Sequence, residues 1–128
     1  MNKNPKRMSS AALAFMGDAV YEVFIREYCI NSGKSSADKL HVAAIKYVNA
    51  ASQAKAMRII SKNLNEEDHE VMNRARNRKP KSVPKNADPM DYKWATAFEA
   101  LVGFYYLSDR KTELEELMKN AISIIESN

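Results

Sequence analysis

Two carboxylates stand where the residues around them argue against a charge. The segment Ala11 to Tyr21 reads AALAFMGDAVY, and Asp18 is its only charged residue. The segment Trp94 to Leu107 reads WATAFEALVGFYYL, and Glu99 is its only charged residue. Apolar residues on nearly every side mark a helix that belongs in a core. An ionised carboxylate carried into such a core, or to its edge, costs on the order of several kcal/mol unless it is partnered. Three kinds of partner are open. An arginine or lysine could pair with each acid, although only Arg26, further along the first helix, is near. Tyr21 or Thr96 could donate a hydrogen bond. Or the two acids could meet and share a divalent cation. Mg²⁺ suits that last case, since one or two carboxylates hold it while waters and phosphate oxygens complete its shell. Gly17 precedes Asp18 and Gly103 follows Glu99 by four residues. Glycines on apolar helices usually mark close packing, so the two helices could cross here.

The elements that must position these acids are helical. Ser9 or Ser10 can cap a first helix over about residues 9–31, which Gly33 can end through a left-handed residue. Ser35 and Ser36 offer caps for a second helix through Tyr47 or beyond, and a joint is expected near Asn49. A third helix covers about residues 50–62. Asn65 followed by Asp68 is a capping pattern for a fourth, about 66–78. Pro80 and Pro84 break the next stretch, about 79–87, into a loop. Asp88-Pro89 restarts order for a fifth helix, about 89–107. Thr112 and Glu115 read as a capping box for the last, about 113–126. No internal repeat and no strand is evident. The expectation is an all-α fold of about six helices, with residues 1–128 forming one domain.

Composition excludes several other chemistries. The chain has 128 residues, 45% hydrophobic and 28% charged, which is ordinary for a globular domain of this length. With one cysteine, Cys29, and two histidines, His41 and His69, a disulfide framework or a Cys/His zinc site is not expected. Three scattered glycines cannot build a Gly-rich phosphate loop. The N-terminus has no apolar signal region and no run is long enough to span a bilayer, so a cytoplasmic protein away from membranes is expected. The net charge is +4. Between Arg74 and Lys93 stand seven basic residues against two acids, so all of the positive excess lies in that window. Such a patch is the electrostatic footprint of a polyanion partner, or else a solvated loop.

The two acidic segments also carry a resemblance. LAFMGDAVYE, Leu13 to Glu22, resembles the signature helix of the ribonuclease III family. FEALVGFYYL, Phe98 to Leu107, resembles the family's second signature. NRARNRKPKSVPKN followed by YKWATAFEAL is similar to the Mini-ribonuclease III branch, the bacterial form without a double-stranded-RNA-binding domain. Together the segments and the helices between them span nearly the whole chain. The resemblance implies an all-α endonuclease domain that works as a homodimer, depends on Mg²⁺ (or Mn²⁺) and cleaves double-stranded RNA. For the Mini branch it implies maturation of the large-subunit (23S) ribosomal RNA precursor, a step of ribosome biogenesis in which a ribosomal protein could also take part.

Carried over by position, Asp18 matches the signature aspartate and Glu99 the signature glutamate, both catalytic metal ligands. Larger members have an acid four residues before that aspartate and an aspartate three before that glutamate. Here stand Ala14 and Thr96, a reduction that the Mini forms share. Gln53 falls roughly where larger enzymes place a further glutamate. Thr96, Asn49 and Gln53 are therefore candidates to orient metal-bound waters, or else make capping and interhelical hydrogen bonds. Glu22 is expected to pair with Arg26 four residues on rather than to join the site. His41 and His69 are expected at the surface or in packing. Duplex RNA is read by shape and backbone, so Arg74, Arg76, Arg78, Lys79, Lys81 and Lys85 are the candidate RNA contacts. The rival readings are a non-catalytic RNA-binding or ribosome-assembly module and, less favoured, a helical DNA binder.

Overall fold

The computed structural model describes residues 4–79 and 82–127. A short 3-10 turn, Pro5–Arg7, leads into six helices: α1 (Ser10–Asn31), α2 (Ala37–Val48), α3 (Ala50–Ile60), α4 (Glu66–Asn77), α5 (Pro89–Leu107) and α6 (Lys111–Glu126). A second 3-10 turn, Ser61–Asn63, extends α3. No strand occurs among the described residues, and none of their helices is long and apolar enough to cross a membrane. The fold is all-α, as the composition and helical periodicity imply.

Local chemistry sets most of the boundaries. Ser9 Oγ accepts the Ala12 amide at the head of α1, Ser36 Oγ accepts that of Lys39 at α2, and Asn65 Oδ1 accepts that of Asp68 at α4. Asp88 takes the Met90 and Asp91 amides, with Pro89 opening α5. Past α1 the chain turns at Gly33 with a φ of +99°, where a side chain would be strained. Asn49 serves two helices at once. Its Oδ1 accepts from the Ser52 amide of α3, while its Nδ2 donates to the Ile45 and Lys46 carbonyls of α2.

One boundary departs from expectation. The last helix begins at Lys111, not at 113, and no Thr112 capping box forms: Arg110 occupies the cap position without a side-chain cap bond. The guanidinium of Arg110 is drawn instead to Asp68 of α4, gripping both carboxylate oxygens at 2.9 Å, and it also binds Glu113. Asp109, at a φ of 58°, makes the turn that delivers it. Tyr105 donates to the same Asp68 at 2.6 Å. Asp68 is only 3% exposed, so this pair and its hydroxyl partner tie α4, α5 and α6 together inside the molecule. At the far end Glu126 accepts from both Tyr28 and Tyr47, joining α6 to α1 and α2.

Helix α5 packs against α1, α3, α4 and α6. That explains why its sequence is apolar nearly all round. Phe98, Leu101, Val102 and Phe104 from α5 meet Leu13, Tyr21 and Ile25 from α1, Met57 from α3 and Met72 from α4 in the fully buried centre. Helix α1 is apolar for a second reason: only one side of it faces this core. Phe15 is 81% exposed, and Val23 and Ile30 are also exposed.

α1 and α5 run antiparallel and touch backbone to backbone. A Cβ built on Gly17 would lie 1.7 Å from the Glu99 carbonyl oxygen, and one on Gly103 would lie 1.9 Å from that of Leu13. The clashing atoms are main chain, so no side chain can step aside. Gly17→Ala or Gly103→Ala should therefore destabilise the fold by more than the roughly 1–3 kcal/mol typical of overpacking. A chemical denaturation midpoint equal to that of the wild type in either variant would contradict this contact.

Candidate metal and nucleic-acid site

The glycine contact decides where the two acids go. Asp18 follows Gly17, and Gly17 packs on the main chain of Glu99 itself. The two carboxyls come within hydrogen-bonding reach of each other at the rim of the helix pair. Glu99 is half-buried, whereas Asp18 is exposed. Of the two placements open from the sequence, interior or edge, the structure gives the edge, most clearly for Asp18. Its neighbours in sequence are apolar because the outer face of α1 is apolar, not because the residue is enclosed. Burial first, and then the Asp18 charge and the hydrogen bond with it, push the Glu99 carboxyl up to about 8.

The alternative partners are engaged elsewhere. Arg26 pairs with Glu22 at 3.0 Å, the i,i+4 bridge expected from the sequence. Tyr21 donates to the Tyr47 carbonyl at 3.1 Å, and Thr96 to the Tyr92 carbonyl at 2.9 Å. No cation of the chain pairs with either acid among the described residues, and no third Asp, Glu, His or Cys joins them to make a larger metal-binding group. Two oxygen-bearing acids that repel each other beside solvent fit a hard divalent cation. It would remove the repulsion and take its other ligands from water and phosphate.

The neighbouring polar residues take the capping and main-chain bonds that the sequence left open as their alternative role. Asn49 has its oxygen and its amide nitrogen committed to capping α3 and α2, and Thr96 bonds back within α5. Gln53 is 2% exposed and donates to the Val48 carbonyl at 3.4 Å. None of these bonds reaches Asp18 or Glu99. His41 and His69 are exposed.

The basic residues do not form one surface. Arg74 donates to the Lys6 and Met8 carbonyls, and Lys6 pairs with Glu67 at 2.6 Å, so Arg74 fastens the N-terminal turn onto α4. Arg76 leaves the same helix on another side and lies over the ring of Trp94, 4.7 Å from its centre. Arg58 of α3, absent from the sequence-based candidates, reaches the same ring at 5.9 Å and pairs with Asp91 at 2.9 Å. Arg78, Lys79 and Lys85 are exposed, and Lys81 lies outside the described residues. No spacing rule joins positions 58, 76 and 94, which only the packing of α3 and α4 on α5 brings together.

Residues 11–110 match the family model described as the ribonuclease III domain. The chain is 44% identical over 124 residues to a Mini-ribonuclease 3 of Clostridium tetani, covering 96% of this chain and 82% of that protein. It is 40% identical to a Mini-ribonuclease 3 of Brevibacillus brevis, covering 98% and 94%. The chain belongs to the ribonuclease III family, in its Mini-ribonuclease III branch. A crystal structure of a protein from Fusobacterium nucleatum superposes with a TM-score of 0.85 at 33% identity, covering 95% of this chain and 98% of that one. As a ribonuclease III it is an endoribonuclease acting on double-stranded RNA, in a family that works with a divalent metal.

The raised Glu99 carboxyl gives this ribonuclease III a measurable pH signature. In the unfolded chain a glutamate titrates near 4.5; folded and metal-free, Glu99 does so near 8. Between those values the folded state holds the extra proton, so this group's contribution to stability falls as pH rises towards 8. Glu99→Gln, which cannot ionise, should then unfold at a higher temperature than wild type at pH 9 in chelator. The difference should shrink steadily towards pH 5. A constant gap across that range would show that the carboxyl is not under strain from its surroundings.

Proposed function

We propose that Asp18 and Glu99 hold Mg²⁺, with Mn²⁺ able to replace it, for hydrolysis of phosphodiesters in double-stranded RNA. The reading rests on one observation: two carboxyls face each other beside solvent, and no cation among the described residues pairs with either. When bound, such a cation supplies charge neutralisation on the phosphate and makes a nucleophilic water available near neutral pH. The chain's own contribution is positional. The backbone contact of α1 with α5 fixes the carboxylate spacing before RNA arrives, so little ordering remains to be done on binding. Glu99 must release its proton for the cation to enter, and the half-buried position of that carboxyl strengthens its hold once charged. Gln53, buried near the middle of the bundle, is a candidate to position α3 and through it the site.

Arg76, Arg78, Lys79, Lys81 and Lys85 contact phosphates of the duplex in this reading. Arg74 contributes at most through the N-terminal turn it secures. Following the resemblance of its signature segments to the Mini-ribonuclease III branch, we assign the substrate as the large-subunit (23S) ribosomal RNA precursor, processed in the cytoplasm by residues 1–128 acting as one domain. A ribosomal protein bound to that precursor would belong to the same assembly. Two copies pair through the outer face of α1, where Phe15, Val23 and Ile30 have no cover within one chain. Paired sites would cut opposite strands and leave staggered ends.

Asp18→Asn and Glu99→Gln should each reduce cleavage of duplex RNA in Mg²⁺ by at least about a thousandfold, with RNA affinity within a few-fold of wild type. Full cleavage by Glu99→Gln would sink the assignment, and a wild type that binds duplex RNA without cutting it would favour the non-catalytic module. For the pairing, Phe15→Glu should sediment as a monomer at micromolar concentration where the wild type sediments as a dimer. A dimer in both would place the interface elsewhere.

A further inference from the structure

We propose that Arg58, Trp94 and Arg76 form a preset bracket that grips the phosphate backbone of duplex RNA. The inference deepens the double-stranded-RNA reading above and rests on it. Three helices contribute one residue each: Arg58 from α3, Arg76 from α4 and Trp94 from α5. Both guanidinium carbons lie within 6 Å of the centre of the same indole, Arg76 at 4.7 Å and Arg58 at 5.9 Å. A half-buried tryptophan thus holds two like charges near each other at the surface.

The charges around them are not balanced. Arg58 has one acid, Asp91, at 2.9 Å. Arg76 is met by the side-chain oxygens of Asn73 and Asn77, which orient it without neutralising it. It makes no ion pair among the described residues. Lys93 adjoins Trp94 and adds a further cation to the same end of α5. A structural role for the stack needs one arginine on the ring. Two, with one acid between them, leave positive charge that an anion is placed to match.

The chemistry favours phosphate over other anions. A guanidinium presents a planar fork of donors that suits phosphate oxygens, and stacking on an aromatic face leaves its edge accessible; Nη1 of both Arg58 and Arg76 stays outside the bonds to Asp91, Asn73 and Asn77. Holding the forks on a rigid ring removes most of the rotamer freedom that a free arginine loses on binding. Trp94 precedes Glu99 by five residues, about 7.5 Å along the helix axis. Five residues also turn about 140° around the helix, so the bracket lies on the α3 and α4 side of α5, while the carboxylate pair lies on the α1 side. Arg58 lies well before the Arg74 to Lys93 window in sequence, yet the packing of α3 on α5 brings it beside Arg76 of that window.

The test measures binding of a blunt RNA duplex to the full chain in Ca²⁺ buffer across a series of salt concentrations, with thermal unfolding of each variant alongside. Arg58→Gln should weaken binding at least fivefold and reduce the slope of log affinity against log salt by about 0.9, the signature of one lost phosphate contact. Arg58→Lys should keep the slope, because the charge remains. Trp94→Leu should weaken binding as much as Arg58→Gln and Arg76→Gln combined, because both forks lose their support. Wild-type affinity and slope in Arg58→Gln, with a lowered unfolding temperature or without one, would overturn the bracket while leaving the duplex-RNA reading intact. A wild-type chain that fails to bind the duplex would overturn both.

Discussion

The backbone contact between Gly17 and Gly103 is the constraint on which the rest depends. Two helices can approach this closely only where neither carries a Cβ at the crossing, and the clash distances leave no room for a methyl on either side. The crossing sets the depth of α1 against α5. From that depth follow the meeting of Asp18 with Glu99, the edge-on packing of Tyr21 against Phe98, and the burial of Leu13 and Leu101. Helices α3 and α4 pack chiefly on α5, α2 leans on α1 and α6 on α3, so an error at the crossing would be carried outward through both central helices.

The molecule holds its two groups of carboxylates in opposite ways. Burial pushes Asp68 upward, but hydrogen bonds from Arg110, Tyr105 and the Asn65 cap outweigh it and hold the carboxyl below the usual aspartate range. That acid is satisfied, enclosed and structural. Asp18 and Glu99 have no such donors among the described residues and lie at an open rim. An acid supplied with every partner it needs stabilises a fold, whereas an acid denied them is a place for something from outside to bind. The contrast separates the two roles more sharply than burial does, because the structural acid is the more deeply buried.

Much of this was legible in the sequence, and the exceptions have physical reasons. Capping residues announced Ser9, Ser36, Asn65 and Asp88 correctly, since a cap is a local bond between near neighbours. The singular charges of two apolar helices marked Asp18 and Glu99, and the glycines beside them foretold the crossing. The same logic left open whether each acid lies in the interior or at its edge. An apolar helix can face a core on one side and an outer apolar surface on the other, and composition does not distinguish the two. The start of α6 was misplaced because Arg110 obeys Asp68, forty-two residues earlier, rather than its own helix. Arg74 was read as part of a basic surface because charge was counted along the chain, while its side chain turns to two carbonyls of the N-terminal turn. Trp94 and its two arginines belong to the same class of long-range partners.

Asn49 shows how little freedom a single residue can have. It is both the C-cap of one helix and the N-cap of the next, and it alone separates them. The junction asks one short side chain to accept a bond from an amide ahead and to donate to carbonyls behind. Aspartate has the acceptor but no donor when ionised. Serine has a hydroxyl proton for one carbonyl but is too short to serve both sides, and glutamine is a methylene too long for the cap. In the alphabet of twenty side chains this junction has one well-fitting letter, and it is chosen by geometry before any question of chemistry arises.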